Sequence, residues 1–331
     1  MERGGGAMKK TGRQFLVFLA LLVLFAQVPC MNQRVSAAAK TTTEKKTTVK
    51  TTKKKNGLYK EGNGKFCYYQ NNKRIKNTWK TIKGGKYYFE KNGYALIGSS
   101  KVGRTLYLFK ADGKLYKRNR NGFVKVLGNT YYVLKSGELR TGWIGLGNSI
   151  YYADSRGRIL RNATREGVKL NKDGKAVKVT QRVRLHAYAR NVLVSVTNSR
   201  MTRSEKLKAC YNYLAYSGRF YYYAPADPNL SKKGWYIGCA SKMLGQGRGN
   251  CYGFSCAFAA LARELGYTPY LMCARAPGVR DQAPDGYTRH CWVLINNRHY
   301  DPQGSYAGWS GCYGTRNFRT PYKQLRKVRF D

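Results

Sequence analysis

The chain has 331 residues, with 62 Lys and Arg against 16 Asp and Glu and a formal net charge of +46 at pH 7. Its length has room for two domains, and 42% hydrophobic residues with 28 Tyr and 12 Phe supply enough core to exclude a wholly disordered chain. The basic excess runs along the whole sequence rather than in one block, so it points to polyanionic surroundings more than to a single binding patch.

The first element is a targeting segment. Arg3, Lys9, Lys10 and Arg13 precede an apolar run from Phe15 to Ala26, and Pro29 and the small-residue stretch Val35-Ser36-Ala37-Ala38-Ala39 follow. Basic start, short apolar middle and A-x-A-like site make residues 1–39 a secretory signal peptide, and the run is too short for a membrane span. Met8 opens a more typical signal than Met1, and Cys30 follows Pro29 instead of the small residue that lipid modification needs. The expected location is extracellular, at the cell wall or surface. There the positive charge meets wall phosphate polymers or acidic glycans, and no nucleic-acid partner is expected. Residues 40–56 are Lys/Thr-rich with Val49 as the one aliphatic residue, the composition of a solvated linker.

From residue 57 to about 180 the sequence repeats. Aromatic groups at Tyr68-Tyr69, Tyr87-Tyr88-Phe89, Tyr107-Leu108-Phe109, Tyr131-Tyr132 and Tyr151-Tyr152 recur at about twenty residues. Glycine turns follow at Asn92-Gly93, Asp112-Gly113, Ser136-Gly137 and Arg156-Gly157, and Asp173-Gly174 closes the array. Strand, turn and strand at a fixed period predict a β-hairpin solenoid, in which stacking buries the aromatic rings. The segments Trp79-Lys80-Thr81-Ile82-Lys83-Gly84-Gly85-Lys86-Tyr87-Tyr88-Phe89 and Trp143-Ile144-Gly145-Leu146-Gly147-Asn148-Ser149-Ile150-Tyr151-Tyr152 resemble the cell-wall-binding, choline-binding-like repeats of surface proteins. The resemblance implies aromatic faces that box a quaternary ammonium or stack on sugars. With only two Trp-bearing repeats and so many Lys, a cell-wall glycan or teichoic-acid-like polyanion is the expected ligand.

Beyond a boundary near Thr180 the apolar spacing becomes helical. Leu185, Tyr188, Val192 and Val196 share one face, and Leu207, Cys210, Tyr211 and Leu214 share another after the capping box Thr202-Arg203-Ser204-Glu205. Residues 181–331 are read as a separate α+β domain, which makes the whole an α+β chain with a hairpin solenoid in front.

The chemistry-bearing residues lie in its last third. Asn250 is a predicted N-cap, with Cys251 in the first turn of a helix that runs through Phe254, Phe258, Leu261 and Leu265 to Gly266. Unsatisfied amides and the positive helix end favour thiolate over thiol at such a position. A base is needed, and there are three histidines. His290 opens the strand that ends at Ile295, Asn296-Asn297 makes a two-residue turn, and Arg298-His299-Tyr300-Asp301 returns. That turn pairs Leu294 with His299 and Trp292 with Asp301, placing Asp301 diagonal to His290 on the same face. Asp301 can then orient the imidazole. His299 lies too far towards the turn and reads as structural or exposed, and His186 reads as a surface or packing residue. Gly253-Phe254-Ser255-Cys256-Ala257 lacks the last glycine of a serine elbow, and no zinc-ligand spacing occurs, so neither metal nor cofactor is expected. Cys210, Cys239, Cys256, Cys273, Cys291 and Cys312 are either disulfide-bonded or buried thiols.

The stretch Thr202 to Pro302, with Gly249-Asn250-Cys251, His290-Cys291-Trp292-Val293 and Tyr300-Asp301-Pro302, resembles the transglutaminase-like superfamily and its papain-like arrangement. The resemblance implies Cys251 as nucleophile, His290 as general base and acid, and Asp301 as orienting residue. It also implies attack on a carboxamide of a peptide or protein substrate, with a thioester that an amine or water resolves. Oxyanion donors are expected from the Cys251 main-chain N–H and from Trp235, Tyr236 or Gln246. The alternative reading is a non-catalytic surface adhesin with a papain-like binding domain.

Overall fold

The computed structural model describes residues 55–331; the signal peptide expected over 1–39 and most of the linker expected over 40–56 lie outside the described residues. The N-terminal part is a row of small β-sheets. Strands β1 (Gly57–Lys60), β2 (Phe66–Gln70) and β3 (Lys73–Arg74) form the first, and the hairpins β4 (Thr78–Ile82)/β5 (Gly85–Phe89), β6 (Gly98–Val102)/β7 (Thr105–Phe109), β8 (Gly122–Val126)/β9 (Asn129–Val133) and β10 (Gly142–Leu146)/β11 (Ser149–Ala153) follow. A three-stranded sheet of β12 (Ala163–Arg165), β13 (Val168–Leu170) and β14 (Ala176–Val177) ends the row.

Each hairpin closes with a two-residue turn ahead of its aromatic strand, as at Lys83-Gly84, whose φ values of 44° and 74° match the twist of paired strands. The glycine turns noted in the sequence lie on the far side of the aromatic strand and lead into one-residue bridges such as Phe89↔Ala95. Their glycines are required: Gly113 has φ +82°, and a Cβ there would sit 2.9 Å from that of Ala95. Stacking runs through main-chain bonds between successive repeats, including Leu115 N–H to Lys86 O at 2.7 Å and Leu139 N–H to Leu106 O at 2.9 Å. The apolar residues form a string of small clusters, for example Leu96, Phe109 and Leu115, then Ile144, Ala153 and Ile159. No two-stranded hairpin holds a core by itself, and each is stable through its neighbours.

From residue 181 the chain is mixed helix and sheet. Helices α1 (Gln181–Val196), α2 (Arg203–Tyr216), α3 (Trp235–Gln246) and α4 (Cys251–Glu264) precede an antiparallel sheet in the order β20-β19-β18-β17-β21. Its strands are β17 (Tyr270–Pro277), β18 (Tyr287–Ile295), β19 (Arg298–Tyr300), β20 (Tyr313–Thr315) and β21 (Lys323–Arg329), with the short helix α5 (Pro302–Tyr306) between β19 and β20. The two-residue strands β15 (Tyr221–Tyr222) and β16 (Arg248–Gly249) pair in parallel just before α4. Thr202 and Glu205 make the expected reciprocal capping box on α2.

Helix α4 departs from the expected amphipathic pattern. Cys251 to Ala262 are buried on every side, because Gly253, Ser255, Ala257, Ala259, Ala260 and Ala262 let neighbouring elements approach where a polar face would otherwise be. Burying Phe254, Phe258 and Leu261 contributes roughly 1.5–3 kcal/mol each. Ser255 Oγ donates to the Cys291 carbonyl at 2.8 Å, fixing the helix against β18.

Helix α1 serves both parts of the chain. Leu185, Ala189 and Val192 enter the large core with α4, whereas Val183 and Ala187 join Trp143, Ile150, Val168 and Leu170 of the last hairpins. Polar contacts reinforce the joint: Asn191 Nδ2 donates to Gly145 O at 3.0 Å, Arg190 to Thr141 O at 2.8 Å, and Arg140 to Asn191 Oδ1 at 2.8 Å. His186 bonds the Glu264 carboxylate, which also takes Arg190 at 2.9 Å, so His186 is a packing residue between α1 and α4.

Candidate active site

Cys251 owes its position to Asn250. The Asn250 side chain accepts from the amides of Tyr252 and Gly253 at 3.1 and 3.4 Å and starts α4 one residue before the cysteine. Its Nδ2 donates to Asp227 at 3.0 Å, anchoring the cap to the preceding loop. As the first residue of the helix, Cys251 has an N–H without an intrahelical acceptor.

His290 lies on β18 opposite Ala274 of β17. The β18–β19 hairpin has the expected register, with Leu294 opposite His299 and Val293 opposite Tyr300, around Asn296 and Asn297 at φ 48° and 57°. Beyond β19, Asp301 caps α5 and its Oδ2 lies 2.8 Å from His290 Nε2. Its other oxygen accepts from Gly304 N–H at 2.9 Å. Tyr211 OH sits 2.9 Å from the carbonyls of both Asp301 and Cys312 and 2.7 Å from Ser305 Oγ, which pins the Asp301 backbone.

With Nε2 committed to Asp301, the second ring nitrogen of His290 is the one left to hydrogen-bond the Cys251 sulfur. Burial works against an imidazolium, but the Asp301 carboxylate and the Cys251 sulfur outweigh it and hold His290 up to about 10, above the ordinary imidazole value. The ring is enclosed by Trp292, Trp309 and Phe318, with centroids 6.0–6.1 Å away. His299 is bonded from Trp292 Nε1 at 2.7 Å, a structural role.

Cys251 and His290 line a cleft of about 290 Å³ with Gln303, Trp309, Arg280 and Arg319 among its walls. Trp235, Tyr236 and Gln246 do not line it. Tyr236 packs on Phe330 with centroids 4.7 Å apart, and the Trp235 ring packs on Tyr252. The side chains expected from α3 thus pack against α4 and Phe330 rather than along the cleft wall. Gln303, two residues after Asp301 and 8% exposed, is the amide side chain in the cleft.

Sequence reasoning also missed Arg280. It lies 4.0 Å from the Cys251 sulfur, pairs with Asp227 at 2.9 Å and with Asp281 at 3.0 Å, and Arg289 bonds the same two carboxylates at 3.2 and 2.9 Å. Partial burial opposes the Arg280 charge, yet the Cys251 sulfur and these carboxylates raise its pKa. Among the described residues all eight cysteines are free thiols. Cys256 is packed inside α4's surroundings, and Cys273 and Cys291 face each other across β17 and β18 with sulfurs 3.7 Å apart. No helix among the described residues is long and apolar enough to cross a membrane.

Residues 189–309 match the profile of the transglutaminase-like superfamily, a span that holds all three residues of the Cys251–His290–Asp301 constellation. Residues 77–95 match a putative cell wall binding repeat, the hairpin that carries Trp79. The chain thus carries one stretch similar to a cell wall binding repeat and another similar to the transglutaminase-like superfamily. Among solved structures it is similar to choline binding protein F from Streptococcus pneumoniae, crystallised with a peptidoglycan analogue, at 28% identity over 37% of this chain and 40% of that one, with a TM-score of 0.29. It is also similar to the modular autolysin LytC of the same organism, at 20% identity over 37% of this chain and 28% of that one, with a TM-score of 0.27. The chain therefore spans well under half the length of either. No curated protein matches it.

Proposed function

We propose that this is an exported, wall-associated cysteine enzyme that transfers or hydrolyses the acyl group of a carboxamide in a peptide or protein, with residues 57–180 holding it at the wall and 181–331 performing the chemistry. The supporting observation is the Asp301–His290 pair at 2.8 Å in the same cleft as Cys251 at the start of α4. The Cys251 thiolate attacks the carboxamide carbon, and the oxyanion is received by the Cys251 main-chain N–H with the Gln303 amide beside it. Imidazolium His290 gives its proton to the departing nitrogen, leaving a thioester. Water or an amine then attacks, His290 takes its proton, and the thiolate leaves. Asp301 keeps the ring oriented and offsets its charge throughout.

The wall-binding part rests on the repeat match and on what the rings already hold. Trp79 packs against Tyr88, Tyr107 and Phe109, and the Lys86 ammonium lies 4.5 Å over its face, where a quaternary ammonium would sit. Trp143 is 2% exposed and bonds Glu166, so it is core rather than a ligand platform. A glycan or polyanion fits this surface better than choline, and retention on purified walls should weaken with salt and resist choline competition.

The test is mass spectrometry of wild-type and Cys251→Ala protein incubated with glutamine-containing peptides, with and without a primary amine. A deamidated product indicates hydrolysis and an amine adduct transamidation, each absent with Cys251→Ala. Inactivity of the wild type, with equal alkylation of Cys251 and Cys256, would leave a binding protein.

A further inference from the structure

Three guanidinium groups line the Cys251 cleft, those of Arg280, Arg289 and Arg319, and they differ in what balances them. Arg280 and Arg289 share Asp227 and Asp281, two cations against two carboxylates. In the mechanism above Cys251 and His290 form a further neutral pair, with Asp301 behind it. Arg319 stands apart. Among the described residues no carboxylate pairs with it, and its Nε is buried without an acceptor. Its guanidinium carbon lies 3.9 Å over the Trp309 ring, and Trp309 in turn packs on His290. A guanidinium stacked on an indole is held flat while its in-plane N–H fork stays available to a planar acceptor.

Building on the reading of Cys251 as nucleophile, we infer that Arg319 is a specificity-determining residue that binds a carboxylate of the acyl donor, so that the substrate is an acidic peptide. The terminal N–H groups of the fork, which no side chain among the described residues accepts from, face the cleft and receive the two carboxylate oxygens, while the buried Nε keeps the guanidinium in place. A cleft of about 290 Å³ is at the small end of those that hold ligands. The carboxylate therefore belongs to the reacting residue or its immediate neighbour.

The test uses two alkylating agents of similar size and opposite character, anionic iodoacetate and neutral iodoacetamide, on the full chain, with modification of Cys251 followed by peptide mass mapping. The measured quantity is the ratio of the two rates, iodoacetate over iodoacetamide. Arg319→Gln should lower the ratio about ten-fold, and Arg319→Lys, which keeps the charge without the fork, by less. Arg316→Gln removes an equal charge from an exposed residue outside the cleft and should leave the ratio as in wild type. An unchanged ratio in Arg319→Gln, or an equal fall in Arg316→Gln, overturns the assignment. If neither reagent modifies Cys251, the nucleophile reading fails. Arg319 is then judged by calorimetric binding of acetyl-Glu-Gln-amide against acetyl-Gln-Gln-amide to Cys251→Ala protein. Preference for the acidic peptide that disappears with Arg319→Gln supports the assignment, and equal binding refutes it.

Discussion

Asp301→Asn isolates the electrostatic part of the site, because the amide is nearly the same size and can still accept from Gly304 N–H, as Oδ1 does now at 2.9 Å. The carboxylate is 1% exposed and 2.8 Å from His290, so its charge is little screened. The gap between about 10 for His290 and the ordinary 6.5 corresponds to ~5 kcal/mol, a ceiling shared by Asp301 and Cys251. Without Asp301, burial pulls the imidazole back down and the ring is neutral at pH 7. The Cys251 sulfur then loses the cation beside it. Iodoacetamide alkylation of Cys251 is followed by peptide mapping from pH 6 to 9 in wild type and variant. In Asp301→Asn it should be slower by about 10²–10³ at pH 6–7, two to three powers of ten within the ~5 kcal/mol ceiling. Peptide turnover should fall at least as far. A variant that melts as a folded protein yet gives the wild-type alkylation profile would refute the ion-pair reasoning.

Asn250→Ala removes the α4 cap and should cost about 1 kcal/mol, read as a melting temperature about 2–4 °C lower, with slower Cys251 alkylation because the first turn frays. His290 is raised in the folded state, so its contribution to stability is complete below the unfolded value near 6.5 and is lost as pH rises through about 10. The difference in urea midpoint between wild type and His290→Gln should accordingly shrink over that window. Trp79→Ala empties the packing among Tyr88, Tyr107 and Phe109. It should destabilise the hairpin row by about 2–3 kcal/mol, seen as earlier proteolysis near residues 77–110, while leaving Cys251 alkylation unchanged.

The parts of the molecule set by short-range rules are readable in the sequence. Asn250 caps α4 because an Asn side chain can take two amides, and Asn296-Asn297 sets the β18–β19 register because both residues tolerate positive φ. What was not readable depends on long-range placement. Asp227 and Arg280 come from irregular loops with no periodicity, and only the folded chain brings them to Cys251. The packing of α3 on α4 is long-range too, because the small residues of α4 that admit it look in sequence like a weakly polar face. The glycine turns after the aromatic strands are legible, whereas the turns that close the hairpins ahead of them, Lys83-Gly84 and Leu127-Gly128, carry weaker turn signals than Asn92-Gly93 or Asp112-Gly113. Cysteine pairing could not be deduced from spacing, since six thiols allow many connectivities.

Helix α1 has a consequence for how the chain can be divided. With Val183 and Ala187 seated among the last hairpins and Leu185, Ala189 and Val192 in the core around α4, one helix is shared by both parts of the chain, and neither part buries its apolar surface without it. A fragment cut at residue 180 would carry away a bare apolar seat and leave another behind, and neither piece should be as soluble alone as the two are together.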